Sequence, residues 1–234
     1  MRVLAVGAHP DDIEFLSAGT LLKCRKRGDQ IFAAVLCNGD KGHYEIGPEE
    51  LARIRRKEAE DAARAEGAKL VDVGLFPDLE IYPDSSGRKK VVEVIRKARP
   101  DMIITNHPDD YMCDHSTTGR LVIDASFTAS LPNYRTELPH TESIPPIYFM
   151  DCLAAVNFQP TDYVDISGFI EEKGKALLCH QSQYKWLLDH DKIDYVDFMK
   201  KHSAFRGVQC GVKYAEAFQR YAVWGRIRPG SLLP

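Results

Sequence analysis

Apolar residues fall in short unbroken runs separated by longer stretches with helical spacing. Residues 3–8 form the first run, all apolar or small. Residues 13–27 follow with Phe15, Leu16, Leu21 and Leu22 at helix-like intervals, and Gly28-Asp29 stops them. A second buried strand is expected at 31–37. A helix follows at 48–65, opened by Pro48 at its first position with Glu49 and Glu50 in the first turn. The pattern then predicts a strand at 69–73, a Pro-punctuated loop to Gly87, a helix at 91–98 and a strand at 102–105. Beyond this the alternation is looser: helix at 116–129, strands at 147–150 and 163–166, one long helix at 169–188 and a shorter one at 195–205. The stretch 131–146 contains Pro132, Pro139, Pro145 and Pro146 and reads as a loop.

Strand–helix–strand alternation of this kind predicts a mainly parallel sheet with helices on both faces, a three-layer αβα sandwich, formed as one domain over residues 1–234. Ligands in such sheets sit beyond the carboxyl ends of the strands.

Composition narrows the classes. Hydrophobic residues make up 44% of the 234 and charged residues 28%, a soluble globular balance with material for a sizeable core. Net charge is -3, from 31 Lys plus Arg against 34 Asp plus Glu, so neither nucleic acid nor an anionic membrane is expected as the main partner. No run approaches the roughly 20 apolar residues of a membrane span, and the first run is too short for a signal peptide. Six scattered cysteines with no C-x-x-C pair read as reduced thiols, which points to the cytoplasm.

One string occurs twice, each time after a predicted strand: His9-Pro10-Asp11-Asp12 and His107-Pro108-Asp109-Asp110. The second continues Tyr111-Met112-Cys113-Asp114-His115. If the two strands are neighbours, three histidines and five aspartates gather at one sheet end. Carboxylates packed so densely call for a positive ion. A catalytic zinc site needs three protein ligands and an open position, which two histidines and a carboxylate satisfy. A single copy would read more simply as a helix cap; two copies plus His115 favour a metal. His107 and His115 both remain open as ligands on this reading. A dinucleotide site is disfavoured, because the first turn, Gly7-Ala8-His9-Pro10-Asp11-Asp12, lacks G-x-G-x-x-G and puts carboxylates where a pyrophosphate needs N–H groups.

The stretch Gly7-Ala8-His9-Pro10-Asp11-Asp12-Ile13-Glu14-Phe15 resembles the signature of the LmbE-like, or PIG-L-type, zinc-dependent de-N-acetylases. Arg55-Arg56-Lys57-Glu58-Ala59, Leu75-Phe76-Pro77-Asp78, Asp114-His115, His180-Gln181-Ser182-Gln183 and Tyr214-Ala215-Glu216-Ala217-Phe218 resemble further family segments, in order along nearly the whole chain. The resemblance implies a Rossmann-like fold and hydrolysis of an N-acetyl group from an N-acetylglucosamine-type or related N-acylated compound. It implies His9, Asp12 and His115 as ligands of Zn2+, or of another divalent ion such as Fe2+. It implies Asp11 as general base, with Asp114 beside it in the catalytic set, and Arg55 and Asp78 as substrate contacts. A homo-oligomer is also implied, since several members form hexamers. The second motif commonly begins with a histidine where this chain has Met112, and methionine can neither steady an oxyanion nor deliver a proton. A non-catalytic metal- or sugar-binding module is therefore the rival reading. A non-haem iron oxygenase uses the same ligand types, but the family resemblance points away from it. His43, His140, His190 and His202 read as isolated, and His180 as either core or site. Residues 184–188 read as amphipathic core or oligomer contact ahead of a substrate-facing segment, and Cys113 as a thiol without an activating base.

Overall fold

The computed structural model describes residues 1–234. Its centre is a seven-stranded sheet in the order β3-β2-β1-β4-β5-β7-β6. The strands are β1 (Arg2–Gly7), β2 (Gln30–Cys37), β3 (Lys69–Phe76), β4 (Met102–Thr105), β5 (Ile147–Met150), β6 (Asp162–Asp165) and β7 (Ala215–Arg220). The first five pair in parallel, and β7 runs antiparallel to both neighbours. From β1 the chain builds outward to β2 and β3, then returns to lay β4 on the other side of β1. The gap beyond the carboxyl ends of β1 and β4 is thus the topological switch point, where such sheets bind ligands.

Alternation along each strand feeds two cores. Leu4, Val6 and Ile103 face one way, onto Val91, Val92 and Ile95 of α4 (Ser85–Ala98) and Leu121, Val122 and Ala125 of α5 (Cys113–Thr128). Val3, Ala5 and Ile104 face the other. There they meet Phe15 of α1 (Asp12–Leu16), Leu21 of α2 (Ala18–Lys26), Ala59 of α3 (Pro48–Glu66), Leu177 of α6 (Ile170–Leu177) and Met199 of α8 (Tyr195–Cys210). Each fully buried aliphatic or aromatic side chain contributes about 1.5–3 kcal/mol.

Two helices expected to be continuous are broken, each by a carboxylate from elsewhere. The stretch 13–27 divides at Ser17 into α1 and α2. The first N–H groups of α2, on Gly19 and Thr20, donate to Glu216 of β7 at 2.8 and 2.7 Å. That carboxylate also accepts from Lys173 Nζ of α6 at 2.5 Å. A Cβ on Gly19 would lie 2.7 Å from Ile166, so only glycine lets the helix start come this close. The stretch 169–188 divides into α6, α7 (Gln181–Trp186) and a π-helical turn, Leu187–Asp191. Here Ser182 N and Oγ both donate to Glu58 of α3 at 2.7 Å. In contrast, α4 begins six residues before its expected start, because Asp84 caps it through Gly87 N at 2.7 Å.

Glu66 ends α3 fully buried, and neither carboxylate oxygen has a hydrogen-bond partner. Burial raises its pKa well above the ordinary 4.5, and nearby Glu14 and Glu216 add to the rise against Lys173. Unfolded Glu66 ionises near 4.5, so above that pH the native state keeps a proton that the unfolded state has released. This contribution to stability is therefore lost as pH rises toward the native pKa. Urea unfolding of Glu66→Gln between pH 5 and 8 should give a flatter dependence of stability on pH than the wild type. Parallel curves would mean that Glu66 is ionised in the native protein.

Candidate active site

The turn after β1 and the loop after β4 are brought side by side by the pairing of Val3–Val6 with Met102–Thr105. Asp12, at the start of α1, locks the junction. Its Oδ2 accepts from Ala8 N at 2.9 Å, His9 N at 3.0 Å and Asn106 Nδ2 at 3.2 Å. The other oxygen, Oδ1, faces His115 Nε2 at 3.2 Å. Ligand atoms of His9, Asp12 and His115 all lie within 4.8 Å of one another.

Both imidazoles are oriented by carboxylates. Asp110 Oδ2 lies 3.1 Å from His115 Nδ1, and Asp114 Oδ2 lies 3.1 Å from His9 Nε2. With those nitrogens donating, His115 turns Nε2 and His9 turns Nδ1 toward the shared centre. His115 Nε2 is fully buried and has no hydrogen-bond partner within the chain. Burial works against a charged imidazole at His115, yet Asp12 and Asp110 outweigh it and push the pKa up to about 10. Burial likewise opposes ionisation of Asp12, but His115 and His9 hold it well below the usual carboxylate range. The pocket calls for positive charge, and its two nitrogens and one oxygen suit a divalent ion.

Asp11 stands apart from that set. It occupies the left-handed region at φ 117°, and its side chain makes no capping bond to α1. Such a conformation costs a non-glycine residue roughly 1–3 kcal/mol. Arg55 of α3 holds it in place: Nη2 donates to Pro10 O at 2.5 Å and to Asp11 Oδ2 at 3.3 Å. Burial pushes the Asp11 pKa up to about 6, against the lowering influence of Arg55 and His180. Arg55 Nη1 also donates to Gly39 O at 3.3 Å. Gly39 has φ 77°, and a Cβ there would come within 2.6 Å of the Arg55 side chain. Asp78 accepts from Gly39 N at 2.7 Å and Lys41 N at 3.3 Å. Arg55 and Asp78 both line the cavity; Arg55 Nη1 and Nη2 and the Asp78 carboxylate hold the turn and the loop, while the buried Arg55 Nε has no partner.

The cavity has a volume of about 530 Å³ and gathers His9, Asp11, Asp12, Arg55, Asp78, Asp114 and His115. His107 does not belong to it. Its Nε2 pairs with Gln219 of β7, and its ring packs edge-on against Phe149 and Phe158. His107 thus stands apart from the His9, Asp12 and His115 cluster, and Asp109 is also turned away, exposed near Arg120. Met112 lines the wall at the family's histidine position. Burial and the neighbouring Asp114 raise the Cys113 thiol above its ordinary value, the opposite of an activated nucleophile.

Several participants escaped the sequence reading. Asp110 was visible only as part of a repeat; its place five residues before His115, at the approach to α5, was the available signal. Asn106 bridges the two strand ends, donating to Asp12 and accepting from Ala8 N at 2.9 Å. Tyr195 closes the cavity, stacked on Phe15 at 5.1 Å. His180, which the sequence left as either core or site, is fully buried, its Nε2 3.1 Å from Glu14 Oε2.

Residues 4–126 match the family model described as GlcNAc-PI de-N-acetylase, PIG-L. The chain belongs to this family. It is 30% identical to the diacetylchitobiose deacetylase of Thermococcus kodakarensis over 234 residues, covering 93% of this chain and 82% of that protein. It is 25% identical to a probable N-acetyl-alpha-D-glucosaminyl L-malate deacetylase 2 of Bacillus anthracis, covering 84% of this chain and 87% of that one. The structure of N,N'-diacetylchitobiose deacetylase from Pyrococcus horikoshii superimposes with a TM-score of 0.81 at 29% identity, covering 93% and 82% of the two chains. As a PIG-L member the chain has the fold and the catalytic scaffold of a hydrolytic N-deacetylase.

If His9, Asp12 and His115 hold the ion, His115→Ala should abolish stoichiometric divalent metal, measured by elemental analysis after reconstitution. His107→Ala should retain it. Asp110→Asn should weaken metal affinity about 10–100-fold, the usual effect of removing a carboxylate that orients a ligating histidine.

Proposed function

We propose that this PIG-L member is a zinc-dependent deacetylase of an N-acetylated amino sugar of the N-acetylglucosamine type, yielding acetate and the free amine. The observation that carries the reading is the buried, unpartnered His115 Nε2 aimed at His9 and Asp12, with Asp11 in the same cavity but outside that ligand set. His9, Asp12 and His115 would hold the ion. When bound there, a divalent ion supplies a Lewis acid that polarises the acetyl carbonyl and lowers the pKa of water. Fe2+ would suit the same donors.

Asp11 takes a proton from the attacking water as the new C–O bond forms. When the C–N bond breaks, that proton goes to the departing nitrogen, which leaves as an amine. One carboxylate thus serves as base and then as acid. The composition of the cavity wall supports this economy. Met112 has no proton to give, and the only imidazoles on the wall belong to His9 and His115, each oriented by its own carboxylate. Burial raises the Tyr195 pKa well above its ordinary value, so the phenol keeps its proton. Asp114 and Arg55 act as positioning residues, the first on His9 and the second on Asp11. Asp78 shapes the loop at the substrate side.

Met112 also favours the rival reading, a binding module without turnover. Against it stands the strained backbone of Asp11, which a module that only held a metal would not need. A homo-oligomer forms part of the proposal, supported by apolar side chains left exposed at Phe205, Val208, Trp224 and Ile227. A cytoplasmic location is supported by six cysteines, none in a disulfide. No helix is long and apolar enough to cross a membrane.

Metal-loaded protein should release acetate from N-acetylglucosamine-type sugars, and a chelator should stop it. Asp11→Asn should keep its metal and lose about 10²-fold or more in kcat, the scale expected for a general base. Metal loss in that variant would make Asp11 a ligand. Undiminished turnover would remove it from the reaction.

A further inference from the structure

When water adds to an amide carbon, the former carbonyl oxygen gains negative charge. A hydrogen-bond donor already aimed at that oxygen is among the strongest aids a site can offer. Met112 on the cavity wall has no N–H or O–H to give. Apart from carboxyl groups, seven side chains that line the cavity do carry a donor: His9, Lys41, Arg55, Cys113, His115, Gln183 and Tyr195.

Six of the seven are already engaged. His9 and His115 pair with Asp114 and Asp110 and turn their other nitrogens toward the ion site. Lys41 Nζ is held by Asp40 and Glu80 at 3.3 Å. Arg55 uses Nη1 on Gly39 O and Nη2 on Pro10 O and Asp11. Its unpartnered Nε is buried against Gly39 and does not open on the cavity. Cys113 Sγ donates to Asp114 Oδ1 at 3.4 Å, and Gln183 Nε2 to Gly42 O at 3.0 Å. Tyr195 is the seventh. The residue is only 7% exposed, yet its hydroxyl has no partner in the chain and is not closed off from open space, so it faces the cavity.

The ring is placed by α1, the helix that Asp12 begins. Phe15 N donates to Asp11 O at 2.9 Å, so Phe15 lies one turn beyond the two aspartates on their own face. Tyr195 stacks on Phe15 with centroids 5.1 Å apart and 23° between the planes. Phe198 and His202, one and two turns along α8, hold the same phenyl ring at 5.1 and 5.6 Å. Asp194 caps α8 directly before Tyr195, accepting from Val196 N and Asp197 N at 3.0 Å. The phenol is thereby fixed on the side of the cavity that carries Asp11 and Asp12. Burial, then the charges of those two carboxylates, keep it protonated. It remains a donor throughout.

We infer that Tyr195 is a catalytic residue, whose hydroxyl donates a hydrogen bond to the acetyl oxygen as that oxygen becomes charged. The inference rests on the deacetylation proposed above. The phenol gives up no proton. As the new C–O bond forms, the π pair of the carbonyl moves onto the acetyl oxygen, which accepts from Tyr195. As the C–N bond breaks, the pair returns to the carbonyl, and the proton that Asp11 took from water goes to nitrogen. Asp11 moves the proton and Tyr195 steadies the charge, so nothing at position 112 has to do either. A bond that strengthens only as charge develops acts on the transition state more than on the bound substrate. Its loss lowers kcat and leaves KM nearly unchanged.

The test uses metal-loaded Tyr195→Phe, which keeps the ring and its stack on Phe15. Against an N-acetylglucosamine-type sugar that the wild type hydrolyses, kcat should fall about 10²-fold, the scale of losing one such donor, with KM and metal content unchanged. A kcat within about twofold of wild type, or a loss confined to KM, would overturn the assignment. A second measurement needs no turnover. The methylphosphonamidate of glucosamine carries a tetrahedral, anionic centre in place of the acetyl group. By calorimetry Tyr195→Phe should bind it about 10²-fold more weakly than wild type does. Glucosamine, which lacks that oxygen, should bind both proteins equally. Equal affinity of the two proteins for the phosphonamidate would overturn the assignment. So would an equal weakening for both ligands, since Tyr195 would then only support the wall. A wild type that hydrolyses no N-acetylated sugar would count against the deacetylation itself, and the phosphonamidate comparison would then decide separately whether the phenol donates to a tetrahedral anion.

Discussion

The pairing of β1 with β4 is the constraint on which the candidate site depends. Neither loop alone holds all three candidate ligands: His9 and Asp12 follow one strand, His115 the other. The sheet joins them, and Asp12 joins them again, since one carboxylate spans Ala8, His9, Asn106 and His115. Because the strand ends are buried and fully paired, the ligand atoms are positioned by backbone that has little freedom to relax. This is preorganisation in its ordinary sense: the groups are aimed before anything binds.

Around the ligand set, carboxylates act in pairs with different duties. Asp12 faces the centre while Asp11, one residue earlier, is twisted out of it. Asp110 and Asp114 stand behind the two imidazoles and fix opposite nitrogens. A further layer, Glu14 with His180 and Glu58 with Ser182, fastens α1 and α7 behind Asp11. The concentration of negative charge is tolerable because almost every oxygen is engaged by an N–H or faces the cation site. Glu66 is the exception, and there burial favours the proton.

What could be read from the sequence was what is local. The runs at β1, β2 and β4, the turn that places Asp12 at a helix start, and Asp114-His115 opening α5 are each contained within about ten residues. The roles of Arg55 and Asp78 were less legible, because their partners Pro10, Asp11, Gly39 and Lys41 come from other segments. The breaks at Ser17 and before Gln181 were invisible for the same reason: each depends on a distant carboxylate. The strand β7 reads Ala-Glu-Ala-Phe-Gln-Arg, without a β-branched residue, and is a strand only because β5 and β6 pair with it on both sides. The repeated string left His107 open beside His115, since identical residues after two strands differ in surroundings only once Gln219 and Phe149 are beside one of them.

The capping of α2 by Glu216 bears on how the protein comes to be made. The contact spans 197 residues and joins the helix just behind the turn that carries His9 and Asp12 to β7. During synthesis α2 emerges first, yet the carboxylate that satisfies Gly19 and Thr20 is translated 197 residues after Gly19. Contacts of such high sequence separation form late and slow folding. A nascent chain therefore carries the residues of its reaction centre long before it can complete the scaffold behind them, and its maturation is tied to β7.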